Sequence, residues 1–463
     1  MSLRSRVLHG GFYMVVRQGL GIAISSVGLI LLTRAIGPGA YGIYAAAIGI
    51  YTYLLNLSQW GINVYLIRRE EEPSPEDYHQ AFSLLLVLGL AGTGLALLAL
   101  PFLKSWVRLE GFGPVAAVLF AALPVNLIIF VPLARLERAL DYRKVALIEL
   151  AGQLALYPVA LPLAYLGLGP WAPVVGWWAM QVLTLGLVYW TSDYRPRLHW
   201  ESTRVRAMVR YGLGFTASDS VWNLRYLVNP LVVGRYASAE AVGQVALAIR
   251  LVEQVSSTIM AVSWRLSIPV FARIQEDRPR TIKALADGVS LQLMTVGPLL
   301  AGFGLVAPWL IPLLFGPSWL GTVMVYPFIA TGHLAGAAFN LHTSVLYVLR
   351  KIWEVAAFHL VYIILFAGSA LLLVPRLGLR GYGWAELAAL PSYGLLLVFV
   401  LHHIGRPVSA QAAIWFAAWV VPLFGWQLGP WAWISILVPI VWPATRRELT
   451  QFVALILRKA RDH

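Results

Sequence analysis

AVGQVALAIRLVEQVSSTIMAVSW, residues 241–264, is an apolar run of 24 residues with an arginine, Arg250, near its middle. About 20 predominantly apolar residues cross the hydrocarbon of a bilayer as a helix, so the run predicts a transmembrane span. Glu253, Gln254 and Ser257 follow Arg250 at one-turn spacing and share its face. At the helical rise of about 1.5 Å per residue, Arg250 sits about 15 Å from the outer end of its span, near the midplane of a roughly 30 Å core. Snorkelling does not rescue a guanidinium at that depth, where insertion scales put its cost at about 2.5–3.5 kcal/mol. Such a stripe faces water, a paired charge or a ligand. An intrahelical pair between Arg250 and Glu253 is the purely structural alternative.

The rest of the chain is built the same way. Of 463 residues, 59% are hydrophobic and 12% charged, and the mean hydropathy is +0.73; this composition belongs to polytopic membrane proteins. The first apolar run, 11–33, is too long for a signal h-region and lacks a small-residue cleavage site, so it is expected to remain as the first span. Fourteen spans fit: 11–33, 41–66, 81–103, 112–134, 145–167, 170–191, 211–233, 240–264, 286–315, 321–348, 355–375, 381–401, 409–427 and 430–444. The chain has no cysteine, which removes disulfides, thiolate ligands and thiol catalysis.

A net charge of +14 would suggest nucleic acid in a soluble protein, but its distribution points to topology instead. With the N-terminus inside, 26 of the 35 lysines and arginines fall in inner segments and 6 in outer ones; Arg17, Arg225 and Arg250 lie within spans. That asymmetry predicts both termini in the cytoplasm and no nucleic-acid partner. The acidic run 70–77 reads as a solvated turn rather than a metal cluster. Residues 446–463, with Phe452, Leu455 and Ile456 opposite Arg458, Lys459 and Arg461, read as an amphipathic cytoplasmic tail.

An internal repeat organises the spans. Set against 232–250 at an offset of 201, residues 31–49 align Arg34, Ala40, Gly42, Ala45, Ala47 and Ile48 with identical residues. The turn Asp141–Lys144 after the fourth span is echoed more weakly by Arg350-Lys351 after the tenth. Six spans separate the copies, so both halves enter the membrane in the same direction, and transporters of that build place their ligand site between the halves near the midplane. The expectation is an all-α integral membrane fold of about 14 transmembrane helices. Two parallel-repeat six-helix lobes, 1–200 and 201–405, would surround a central cavity, with two extra helices over 406–445.

Buried polarity concentrates on spans one, two, seven and eight. The second span carries Thr52, Asn56, Gln59 and Asn63, spaced to share one helical face; the first carries Arg17, Gln18, Ser25 and Ser26. The seventh carries Ser218, Asp219, Trp222, Asn223, Arg225 and Asn229. Arg250, Arg17, Arg225, Asn56, Gln59, Asn63, Trp222, Asn223 and Gln254 are therefore the candidate substrate-binding residues. Arg17 and Arg225 lie near enough to span ends to snorkel. Guanidiniums in a wet cavity suit a phosphate- or carboxylate-bearing substrate, and Trp222 suits stacking on a sugar. Asp219, Glu253, Glu149 and Glu386 are the candidates for proton or sodium coupling, each equally able to neutralise an arginine. His333, His342 and His359 lack ligand spacing, and no metal or other cofactor is expected.

Several stretches carry a family resemblance: Leu32-Thr33-Arg34-Ala35-Ile36-Gly37-Pro38-Gly39-Ala40-Tyr41-Gly42, Ala139-Leu140-Asp141-Tyr142-Arg143-Lys144 and Val233-Gly234-Arg235-Tyr236. Phe271-Ala272-Arg273-Ile274-Gln275 and Leu314-Phe315-Gly316-Pro317-Ser318-Trp319 add to them. Over roughly residues 9–400 the chain resembles the Wzx-type lipid-linked oligosaccharide flippases of the multidrug/oligosaccharidyl-lipid/polysaccharide exporter superfamily. The resemblance implies a non-enzymatic transporter of a bacterial or archaeal cytoplasmic membrane. It would move an undecaprenyl-pyrophosphate-linked oligosaccharide from the cytoplasmic to the periplasmic leaflet by alternating access, for surface polysaccharide biosynthesis. Polymerase and chain-length machinery would be associated partners. In related flippases of the peptidoglycan precursor, basic residues on the first and eighth helices face the cavity, and Arg17 and Arg250 occupy matching helices. A basic residue on the second helix has no counterpart here, where Gly49 and Thr52 stand. The rivals are a cation-coupled multidrug extruder of the same superfamily and a membrane glycosyltransferase or ligase, although the latter lacks a sizeable outer loop for its chemistry.

Overall fold

In hydrocarbon every backbone N–H and C=O must be satisfied within its own segment, so long apolar runs become long helices. The structure, a computed structural model, describes residues 3–69, 71–406 and 410–441; some side chains within these, Asp219 and Ser257 among them, lie outside the description, as does the tail 446–463. Among the described residues every regular element is helical, and nine helices are long and apolar enough to cross a membrane.

Helix α1 (Leu3–Gln59) contains the first two predicted spans, separated by a kink at Gly37 (φ 73°, ψ 171°) directly before Pro38. Left-handed backbone at Trp60 (φ 46°) and Gly61 (φ 58°) ends it and redirects the chain into α2 (Ile62–Arg68). Asn63 therefore stands beyond a break, and the predicted stripe Thr52–Asn56–Gln59–Asn63 is not one helical face. There follow α3 (Pro75–Val107), α4 (Phe112–Phe120), α5 (Leu123–Arg138), α6 (Tyr142–Tyr165) and α7 (Trp171–Thr191).

The seventh span is not a uniform helix. After α8 (Ser202–Asn223) the chain tightens into a 3-10 turn (Leu224–Leu227), then widens into a π turn (Asn229–Val233), and ends in α9 (Gly234–Tyr236). Pro230, inside the π turn, has no N–H to give and crowds the preceding turn, which accounts for the change of pitch. Next come α10 (Ala239–Ile274), α11 (Arg278–Phe315), α12 (Leu320–Val348), α13 (Ile352–Leu377), α14 (Leu379–Ala389), α15 (Ser392–His403), α16 (Ala410–Leu423), α17 (Gly425–Leu428), a 3-10 turn (Pro430–Ile436) and α18 (Leu437–Val441).

The described residues group into two compact units. One holds the chain to Ala246 with Leu313–Trp319 and Ala370–Tyr382; the other holds Leu247–Pro312, Leu320–Ser369 and the described residues from Gly383. In the first, Ile62, Leu66, Leu84, Leu85, Leu127 and Val131 form one apolar core, and Leu32, Ala160, Ala164 and Ala172 a second. Gln181 donates to Asn126 (2.6 Å) where both are buried.

The repeat is visible in the backbone. Gly42 and Gly243, equivalent at the offset of 201, pack against each other's segments: a Cβ on Gly42 would collide with the Ala239 carbonyl, and a Cβ on Gly243 with the Pro38 carbonyl. Pro38 and Ala239 are themselves equivalent at that offset. The turn echo holds as well. Leu140 (φ 57°) and Arg350 (φ 61°) are both left-handed. Around them Leu140 N–H donates to Glu137 and Asp141 N–H to Leu136, matched by Arg350 to Tyr347 and Lys351 to Leu346. Both are Schellman caps, each built without the usual glycine.

The acidic run departs from a solvated turn at one residue. Glu71 is exposed, but the Asp77 side chain is only 4% exposed and takes Arg69 Nη1 and Arg204 Nη1, each at 2.6 Å. Ser74 and Asp77 complete a capping box at the start of α3. Above it Arg138 Nη1 donates to the carbonyls of Leu66, Ile67 and Arg69, and its Nη2 to that of Glu71, at 2.9–3.0 Å.

Candidate functional site

Helix α10 has two unlike faces. Val245, Ala248, Val252 and Ser256 are buried on one face, while Arg250 is exposed and Glu253 and Gln254 are half-buried on the other. Eleven residues separate Arg250 from the helix start at Ala239, about 16 Å at the helical rise. Among the described residues Arg250 has no ion pair, so the expected alternative of a structural pair with Glu253 is not formed. The Ser257 side chain lies outside the described residues.

Arg17 sits differently. Its Nε lies 2.9 Å from Glu149 Oε2 on α6, the two side chains 21% and 33% exposed, and its Nη1 reaches Gln18 Oε1 at 3.4 Å. Neighbouring contacts fix the same pair of helices: Tyr157 donates to the Ser25 carbonyl (3.1 Å), and Gly28 leaves room for the Tyr157 ring. Glu149, a candidate ion carrier, is thus the counter-charge of an arginine.

Arg225 falls in the 3-10 turn, half-buried between two rings. Its guanidinium carbon is 4.4 Å from the Trp222 ring centroid and 4.6 Å from that of Tyr226, and Nη2 donates to the Tyr226 hydroxyl (2.8 Å). Rather than snorkelling, this arginine uses cation–π contacts, and one face of Trp222 is taken by it. Tyr226 had no assigned role in the sequence; its place beside Arg225 was the available signal. Asn223 and Asn229 are buried, Asn229 donating to the Val242 carbonyl (3.2 Å).

In α1, Thr52 is exposed and bonded to the Ile48 carbonyl (2.8 Å), and Asn56 and Gln59 are half-buried. Gly49, the counterpart of Arg250, lies in ordinary van der Waals contact with Pro230 and the Tyr226 carbonyl. In the other unit Glu386 is buried on α14, where it accepts from the Tyr362 hydroxyl (3.3 Å) and lies against Gly332. Among the described residues no three histidine or acidic side chains are grouped to hold a metal. The Asp219 side chain lies outside the description.

The chain is similar to the succinoglycan biosynthesis transport protein ExoT of Rhizobium meliloti (strain 1021), 24% identical over 62% of this chain and 58% of that protein. It is also similar to the lipopolysaccharide biosynthesis protein WzxC of Escherichia coli (strain K12), 24% identical over 70% of this chain and 66% of the relative. The chain thus spans less than two thirds of the length of these relatives. Its fold is similar to that of the lipid II flippase MurJ in an inward closed conformation (TM-score 0.66, 14% identity, 91% of this chain and 96% of the other). It is similar too to an inward-facing multidrug resistance transporter of the MATE family (TM-score 0.63, 15% identity, 84% and 98%). The pattern of the polysaccharide biosynthesis protein family matches residues 31–324, well over half of the chain, and the chain belongs to that family.

Proposed function

We propose that this chain flips a lipid-linked oligosaccharide across the cytoplasmic membrane by alternating access, from the inner to the outer leaflet, with both termini in the cytoplasm. The observation that carries the reading is Arg250: an exposed guanidinium about 16 Å inside an apolar helix, with no ion pair among the described residues. A pyrophosphate offers the bidentate oxygens that a guanidinium grips best, and its charge balances the cost of keeping arginine at that depth. On the same helix as Arg250, Gln254 supplies a neutral hydrogen-bonding group for a sugar; within the first unit, Asn56 and Gln59 are half-buried amides, and Arg225 and Trp222 form a cationic aromatic surface. Membership of a polysaccharide biosynthesis family supports the substrate class.

Proton or sodium coupling through Glu253, Glu386 or Asp219 belongs to the same proposal, as does delivery of the product to a polymerase and its chain-length machinery. The test is charge reversal: Arg250→Glu should strand lipid-linked sugar units on the inner leaflet, measured by their accessibility to a glycosidase in right-side-out and inside-out vesicles. A cation extruder would tolerate that change, and retained flipping would overturn the reading.

A further inference from the structure

Two contacts in the first unit repeat each other with the halves exchanged. Arg34, at the outer end of the first span, donates from Nη1 to the carbonyls of Leu313 (2.8 Å) and Leu314 (3.3 Å) in the last turn of α11. Arg235, its counterpart at the offset of 201, donates from Nη1 to the carbonyls of Ser105 (3.3 Å) and Trp106 (3.2 Å) in the last turn of α3. Helices α3 and α11 hold the third and ninth predicted spans, six apart. Each arginine therefore caps the other half's copy of the same helix. The last carbonyls of a helix have no donor of their own and carry the negative end of its dipole, so a guanidinium is the natural partner.

Other contacts at this level support the joint. Gly42 and Gly243 form the close crossing between the segments that follow the two arginines. Trp106 Nε1 donates to the Leu231 carbonyl (2.9 Å) beneath Arg235, whose guanidinium lies 5.1 Å from the Trp106 ring, and Gln244 donates to the Ser318 carbonyl (3.2 Å). Polar and partly exposed, the arginine bonds differ from the apolar cores of the same unit. When they part, both guanidinium and carbonyls can rehydrate, so the joint opens without leaving buried polar groups unpaired.

We propose that Arg34 and Arg235 are a two-fold pair of positioning residues that latch the outward-closed state, and that outward opening requires both to leave their carbonyls. The direction of opening rests on the orientation in the flippase reading; the latch does not depend on which substrate is carried.

The chain has no cysteine, so Thr52→Cys provides a single reporter, first shown to react with a membrane-impermeant maleimide in detergent. Arg34→Gln, Arg235→Gln and the double variant are then labelled from outside in intact cells. We expect the double variant to label about tenfold faster than the parent, and each single variant about threefold faster and equally, as a two-state population shift divided between two equal contacts requires. Lysine at either position should restore much of the slow rate. Unchanged labelling in the double variant, an effect from one arginine alone, or a loss of thermal stability with no change in labelling would overturn the latch. Faster labelling only from inside-out vesicles would uphold it and overturn the orientation, leaving the flipping assay to judge the substrate.

Discussion

Arg17 and Arg250 are both guanidiniums within apolar helices, and they differ in company. Arg17 rests on Glu149 at 2.9 Å, and its side chain is 21% exposed; Arg250 is exposed and, among the described residues, has no ion pair. A charge neutralised by its own fold contributes to holding helices α1 and α6 together and has little field left for a ligand. A charge left open at similar chemistry retains that field. Sequence alone ranks the two positions only by depth, whereas the fold answers the charge of Arg17 and leaves that of Arg250 open among the described residues.

The largest expected effect breaks the comparison at its open end. Arg250→Glu should reduce flipping on the order of 100-fold, with Arg250→Lys intermediate at about tenfold because the bidentate fork is lost while the charge stays. Neither should move the detergent melting temperature by more than about 2 °C, since an exposed side chain is removed. At the closed end the sign is reversed: Arg17→Ala and Glu149→Gln should each cost about 1–3 kcal/mol, reduced from a fully buried pair by partial exposure. Their double variant should cost less than the sum in thermal or denaturant unfolding. Additive losses would dissolve the pair.

Trp222→Ala sharpens the comparison at the third arginine. Loss of one ring from the Arg225 stack should cost about 0.5–2 kcal/mol, and Trp222→Phe should retain most of it. The smallest effect lies outside the membrane. A hydrogen bond from Arg204 holds the Glu201 carboxyl below its usual range. A lowered carboxyl contributes stability that is present above the ordinary carboxylate range and lost as pH falls through the depressed value. The melting-temperature gap between the parent and Glu201→Gln should accordingly be small at pH 7 and close on acidification.

What was legible in the sequence follows from which properties are local. Hydrocarbon thickness sets a length that any apolar run either meets or misses, so among the described residues nine helices long and apolar enough to cross a membrane fall on expected segments, and the basic turns at Leu140 and Arg350 lie where the chain announces them. The repeat was legible because Arg34, Gly42 and their counterparts perform the same backbone-level task twice. Pro230 signalled a disturbed seventh span, but not the succession of tight and wide turns around it. Asn63 leaves the face of Thr52, Asn56 and Gln59 because the left-handed Trp60-Gly61 step rotates everything after it. Asp77 departs from a solvated turn because Arg69, eight residues before it, and Arg204, 127 residues after it, converge on its carboxylate, and no spacing rule reports either across irregular chain. Glu149 could be read as able to neutralise an arginine, but the 132 positions separating it from Arg17 hide which arginine that is.

A single side chain finishes the step from α2 to α3. Arg138 satisfies four main-chain oxygens where α2 gives way to irregular chain. A loop supplied in this way brings its own hydration in the form of one side chain. The step from α2 to α3 is thereby a rigid elbow, its four carbonyls answered without recourse to solvent.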